Sequence, residues 1–212
     1  MSCQAKICGL TRPADAAFCA QAGAWAVGFI FHPASPRQVS PAEAAGCETG
    51  PARRVGVFIQ QSPAEILEIM SQARLHLAQL HGGQDQKFCR AVGPERVIKV
   101  FWPQRFTTPG DLAEELNRYE GQARFFLLDA GASGGGHGRP LDFDFLRSLT
   151  PPRPWLLAGG LTPALAAQAR ALRLPGLWGF DFNSGLERSP GIKDHNLVSE
   201  ALAALQTGRD DI

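Results

Sequence analysis

Residues 55–80, VGVFIQQSPAEILEIMSQARLHLAQL, read as one complete β-α-β unit. Val55 to Ile59 is a short run rich in β-branched and aromatic residues. Ser62-Pro63 is a helix-start signal, because proline's fixed φ and missing N–H suit the first helical turn. Up to Ala73, Ile66, Leu67, Ile69 and Met70 recur at helical spacing, a stripe for the core rather than for a cofactor. Leu75 to Leu80 returns to strand. Both strands are continuous apolar runs instead of alternating ones, the pattern of a parallel sheet covered on both faces.

The same unit recurs in both directions along the chain. Further strands are expected at Ala5 to Gly9, Ala26 to Phe31, Val97 to Phe101, Phe125 to Leu128, Trp155 to Ala158 and Leu177 to Phe182, making eight in all. Helices are expected at Pro13 to Ala22, Pro41 to Gly46, Gln84 to Val92, Pro109 to Tyr119, Asp142 to Ser148, Thr162-Pro163 to Leu172 and Asp194 to Leu205. Eight alternating units close naturally as an α/β fold of the (β/α)8, or TIM, barrel type, with a doubly wound open sheet as the alternative. No linker, charge block or low-complexity tract divides the 212 residues, so one domain over 1–212 is expected, with a frayed tail at 207–212.

Composition narrows the function. Lys and Arg number 21 against 20 Asp and Glu, a net charge of +1, which gives no cationic field for nucleic acid or an anionic bilayer. The longest apolar run, Ala22 to Phe31, has ten residues, where a membrane span needs about 20. The start MSCQAKICGL lacks the regions of a signal peptide, so a cytoplasmic protein is expected. Five cysteines (Cys3, Cys8, Cys19, Cys47, Cys89) without a C-x-x-C pair argue against both a disulfide framework and a structural zinc site.

In such a barrel the active site is built at the C-terminal strand ends and from the loops that follow them. Cys8 ends the first strand, where it is either a small buried hydrophobe or a thiol facing the mouth. A thiol titrates near 8.5 when unperturbed and needs a nearby cation or dipole to ionise at neutral pH. Asp129 follows the apolar run of the sixth strand, and is either a helix cap or a carboxyl poised at the mouth, where apolar surroundings would keep it protonated. Arg37 follows the rigid Ser35-Pro36, and its planar fork suits a carboxylate, unless it is merely a solvated surface residue. His81 either faces a ligand or satisfies a neighbouring carbonyl. Lys6 and Lys99 are the lysines on strands, and neither is framed by glutamates.

Glycine-bearing loops follow the sixth, seventh and eighth strands: 134–138, Gly159-Gly160 and Asn183-Ser184-Gly185. Loops after the seventh and eighth strands often hold a phosphate on backbone N–H groups, which glycine lets approach closely. Asp181, Asn183, Ser184 and Gly185 therefore join Gly159 and Gly160 as candidate binding residues. Ser184-x-x-Glu187 also reads as a capping box, in which case Ser184 serves its own helix. The loop with Gly135, Gly136 and Gly138 reads as a lid beside Asp129.

KICGLT (6–11), GFIFHPASPR (28–37), VGVF, LHG, LLD (127–129), GGHG (135–138), LAGGLTP (157–163), DFNSGLE and PGIKD appear in one order, from Lys6 to Asp194. In that combination the chain resembles the phosphoribosylanthranilate isomerases of tryptophan biosynthesis, which are (β/α)8 barrels. It departs from their pattern at His137, at Leu141-Asp142-Phe143 and at Asn183. The resemblance implies an Amadori rearrangement with Cys8 as general base, Asp129 as general acid and Arg37 on the anthranilate carboxylate. It also implies a small-molecule substrate, phosphoribosylanthranilate, no metal or organic cofactor, and weak association with other tryptophan-pathway enzymes. A related phosphosugar barrel of the histidine or tryptophan pathways, and a catalytically inactive phosphate-binding barrel, are the alternatives.

Overall fold

The computed structural model describes residues 3–130 and 142–206. The strands are β1 (Gln4–Ile7), β2 (Ala26–Ile30), β3 (Arg53–Phe58), β4 (Leu77–Leu80), β5 (Val97–Phe101), β6 (Phe125–Asp129), β7 (Trp155–Ala158) and β8 (Leu177–Phe182). Each pairs in parallel with its sequence neighbours, and β1 pairs with β8 to close the barrel in the order β1 to β8. The open-sheet alternative is thereby set aside. Helices α1 (Pro13–Gln21), α2 (Pro41–Ala45), α3 (Pro63–Gln72), α4 (Gln86–Val92), α5 (Pro109–Arg118), α6 (Phe143–Arg147), α7 (Pro163–Ala171) and α8 (His195–Gln206) follow the strands in turn.

Local sequence explains why these helices start where they do. Proline occupies the first turn of α1, α2, α3, α5 and α7, and Ser40, Ser62 and Thr108 each complete a reciprocal capping box. Strand bounds differ from expectation where a charged residue is buried. Strand β3 begins at Arg53, because Arg54 extends between α2 and α3 and donates to the carbonyls of Ala44, Cys47 and Ala73. Those carbonyls lie in the last turns of α2 and α3 or just beyond, so the guanidinium satisfies orphan acceptors. At the other end of the barrel wall, β1 stops before Gly9, whose φ of +72° turns the chain over the rim.

Two apolar layers result. One lies between sheet and helices and includes Ile7, Phe29, Phe58, Leu80, Phe126, Leu128, Trp155 and Phe180. The other fills the barrel interior with Ala26, Val55, Leu77, Ile98, Val100, Phe125, Leu127, Leu156 and Ala158. Successive strand residues face opposite sides, so β6 sends Phe126 and Leu128 outward, and Phe125, Leu127 and Asp129 inward. The inward positions are apolar low in the barrel and become polar toward the C-terminal ends, at Cys8, Gln79, Asp129 and Asp181. That gradient places the chemistry at one rim.

Beyond β8 the chain departs from the sequence reading. A single 3-10 turn, Ser184–Leu186, leads into an antiparallel pair, β9 (Glu187–Ser189) and β10 (Ile192–Lys193). The lid-loop residues Gly135, Gly136, His137 and Gly138, and the tail 207–212, lie outside the described residues.

Candidate active site

Cys8 sits at the β1 rim, buried, with its N–H donating to the Phe182 carbonyl at 2.7 Å. Space for its sulfur comes from β2, since a Cβ built on Gly28 would lie 2.8 Å from Cys8 Sγ. Two residues earlier on the same inward face, Lys6 is fully buried and its Nζ donates to both Asp181 oxygens, at 2.8 and 2.9 Å. Burial disfavours the Lys6 ammonium, but the Asp181 carboxylate and Cys8 outweigh it and hold its pKa above the ordinary lysine value. Burial likewise pushes the Cys8 thiol up, and the Lys6 ammonium opposes that shift. The cation on the same strand as Cys8 is thus Lys6, which the sequence showed as a strand lysine without giving it a partner. Its signal was there: a lysine inside a strand buried on both faces must have a charged partner.

Across the barrel, Asp129 closes β6, buried, with one carboxylate oxygen 3.4 Å from His81 Nε2. The helix that follows β6 among the described residues, α6, is capped by Asp142, whose carboxylate accepts the Phe145 N–H at 2.9 Å. The His81 Nδ1 lies 3.0 Å from the Gln79 side-chain amide, and the ring meets Trp102 edge to face. His81 thus stands between Gln79 and Asp129 at the rim. Gln79 and Trp102 belong to this group and were not expected.

Arg37 is not a solvated surface residue. Its Nε and Nη2 grip the Glu187 carboxylate at 2.7 to 3.1 Å, and Lys193 Nζ, itself fully buried, donates to Glu187 Oε1 at 2.8 Å. Burial would raise the Glu187 carboxyl, yet these cations hold it below the ordinary glutamate range. Glu187 also accepts the Gly191 N–H across the β9–β10 turn, at 3.2 Å. This corrects the capping-box reading of Ser184-x-x-Glu187. The helix lasts one 3-10 turn, and two cations outcompete a backbone N–H for the carboxylate. Lys193 Nζ further donates to the Asn183 carbonyl and Oδ1, each at 3.1 Å, which fixes the loop after β8.

The loops after β7 and β8 meet closely. A Cβ on Gly185 would collide with the Leu161 carbonyl, while Gly160, at φ +63°, faces open space. Among the described residues, the N–H groups of Gly160, Ser184 and Gly185 have no acceptor. Gly159, at φ +109°, turns β7 into this loop. The arrangement brings backbone donors of the two loops to the rim, next to Asn183. Among the described residues no three His, Cys, Asp or Glu side chains are grouped to hold a metal ion, and no helix is long and apolar enough to cross a membrane.

Comparison with known proteins shows the family. The family profile described as N-(5'phosphoribosyl)anthranilate (PRA) isomerase matches residues 5–204. An N-(5'-phosphoribosyl)anthranilate isomerase of Maridesulfovibrio salexigens is 45% identical over 205 residues, covering 97% of this chain and 99% of its own. That of Desulfovibrio desulfuricans is 50% identical over 198 residues, 93% of each chain. The crystal structure of the Thermotoga maritima phosphoribosyl anthranilate isomerase superposes with a TM-score of 0.83 at 33% identity, covering 96% of this chain and 98% of the other. A phosphoribosyl anthranilate isomerase in complex with reduced 1-(o-carboxyphenylamino)-1-deoxyribulose 5-phosphate gives 0.80 at 32% identity, with the same coverage of 96% and 98%.

Proposed function

The chain belongs to the N-(5'-phosphoribosyl)anthranilate isomerase family, and from that premise we propose that Cys8 is the general base and Asp129 the general acid of its reaction. The enzyme converts N-(5'-phosphoribosyl)anthranilate to 1-(2-carboxyphenylamino)-1-deoxyribulose 5-phosphate in tryptophan biosynthesis. One observation carries the assignment: Cys8 on β1 and Asp129 on β6 are buried inward-facing groups on opposite sides of one rim. A single substrate lying across the mouth meets both.

The chemistry follows from that placement. Asp129 donates its proton to the furanose oxygen, the C1–O bond breaks, and the anthranilate nitrogen lone pair forms a Schiff base. The Cys8 thiolate then takes the proton from C2, whose electrons form the C1–C2 double bond as the nitrogen recovers its pair. The resulting enolamine tautomerises to the ketone. Each general acid or base of this kind contributes about 10² to 10⁴ in rate.

Binding is assigned to the remaining rim groups. The N–H donors of Gly160, Ser184 and Gly185 suit the phosphate, with Gly159 and Asn183 shaping the cradle. Arg37 uses Nε and Nη2 on Glu187, which leaves Nη1 for the anthranilate carboxylate. His81 orients Asp129. All five cysteines are free thiols, which supports a reducing, cytoplasmic location. The test is binding of the reduced product analogue held by the related structure. Cys8→Ser and Asp129→Asn should bind it as the native protein does, whereas Arg37→Ala should weaken it about tenfold or more, the scale of a lost charged hydrogen bond. Unchanged binding by Arg37→Ala would remove Arg37 from the site.

A further inference from the structure

Among the described residues, the charged groups that act on the Cys8 sulfur belong to two sets. On the loop after β2 and on β10, Arg37 and Lys193 share the Glu187 carboxylate. On β1 itself, two residues before Cys8 and so on the same inward face, Lys6 is held by Asp181 of β8. The second set is the nearer. A Cβ built on Gly28 would lie 2.8 Å from Cys8 Sγ and 3.3 Å from Lys6 Cε, so the sulfur and the end of the lysine chain flank the same small gap in the β2 wall. Lys6 has no solvent exposure, and its partner Asp181 is itself buried.

We propose that Lys6 is the positioning residue of the general base: clamped by both oxygens of Asp181, its ammonium is the fixed counter-charge that makes the thiolate of Cys8 attainable where both side chains are buried. This rests on Cys8 as the base, but its central observable, the ionisation of Cys8, is separate from turnover. Geometry assigns the two partners opposite effects. Lys6 favours the thiolate, and Asp181, a carboxylate in the same pocket, opposes it while holding Lys6 in place. Of the two influences on Cys8, that of Lys6 is the larger, with Lys193 adding to it more weakly. The apolar interior below cannot solvate a thiolate, so without Lys6 the charge has no near neighbour on its own strand.

The experiment is the pH titration of Cys8, read as thiolate absorbance at 240 nm after subtraction of the Cys8→Ser protein. It is run on the native enzyme, Lys6→Met, Asp181→Asn and the double variant. Lys6→Met should move the midpoint upward by about one unit or more, a tenfold or greater loss of thiolate below the midpoint. The ascending limb of its kcat/KM profile should move by the same amount. Asp181→Asn should move the midpoint downward. Because Lys6→Met alone leaves a buried carboxylate unpaired, the double variant, which removes both charges, decides if that protein does not fold; its midpoint should still move upward. Lys6→Arg, which keeps the charge, should return the midpoint toward the native one. A midpoint that stays in place in a folded Lys6→Met or double variant, or that falls, overturns the proposal. If Lys6 passes this test and Cys8→Ser retains turnover, the failure lies with the choice of base and not with the charge pair.

Discussion

The Glu187 carboxylate accepts three hydrogen bonds from Arg37, at 2.9, 3.1 and 2.7 Å, across 150 residues of sequence. The contact ties the loop after β2 to the strand pair that follows β8, on either side of β1. A guanidinium held at two nitrogens presents its third in a fixed direction, which is how one side chain can be both structural and specific.

Replacing Glu187 by Gln should therefore act on substrate binding more than on chemistry. The expected outcome is a KM raised about tenfold, the scale of a hydrogen bond to a charged group, with kcat within a few-fold. Steady-state kinetics check it, and a kcat loss with native KM would show that Glu187 serves the reacting atoms instead.

The same carboxylate gives a pH signature. Its folded pKa lies below the ordinary value of 4.5, so the stabilisation it supplies is fully present above 4.5 and is lost as pH falls through the lowered folded value. The Tm advantage of the native protein over Glu187→Gln should shrink on acidification below pH 4.5. An advantage that grows in acid contradicts the pairing.

Gly28 should tolerate no side chain. A Cβ there would lie 2.8 Å from Cys8 Sγ and 3.1 Å from Cys8 Cα, and the backbone atom cannot step aside. Gly28→Ala should cost about 1 to 3 kcal/mol of stability by overpacking and lower kcat by displacing the sulfur. Gly46→Ala, where the nearest atoms are 3.6 Å away, should change neither. Thermal melts with parallel kinetics separate the two positions.

Cysteine reactivity should be graded by burial. Burial pushes the Cys19 thiol up to about 12 and that of Cys89 to about 11. Alkylation by iodoacetamide at pH 9 should leave both unmodified in the folded protein, as mass spectrometry of the digested protein would show. Rapid labelling of Cys19 or Cys89 would contradict the packing around α1 and α4.

The barrel was legible because its signals are local. Eight apolar runs, prolines at first helical turns and capping boxes such as Ser62 with Glu65 each act within a few residues. Cys8, Asp129 and the glycine loops were legible as strand ends, and the roles proposed for them come from the resemblance to the family. What escaped depends on partners distant in sequence. Lys6 and Asp181 are 175 residues apart, and Arg37 and Glu187 are 150 apart. The β9–β10 pair escaped for a different reason: strands of three and two residues carry no periodicity to read. Glu187 shows how a correct spacing can mislead, since the local N–H donors it was matched to lost to two cations.

The phosphate cradle has its own test. Inorganic phosphate at millimolar concentration should inhibit competitively and raise the Tm, because a ligand that binds the folded state alone stabilises it. Gly160 has φ +63° and open space before it, so Gly160→Ala adds a strained methyl group at the donor site without touching the core. Phosphate protection should weaken strongly in that variant. Full protection would move the phosphate elsewhere.

The measurement that bears most directly on the account is the fluorescence of phosphoribosylanthranilate, generated in situ and followed as it disappears with the native protein, Cys8→Ser and Asp129→Asn. The native chain should consume it, and each variant should be slower by two orders of magnitude or more, within the range of about 10² to 10⁴ for a lost general base or acid. A Cys8→Ser or Asp129→Asn protein that keeps more than about a tenth of native kcat, far above what that range allows, would contradict the assignment.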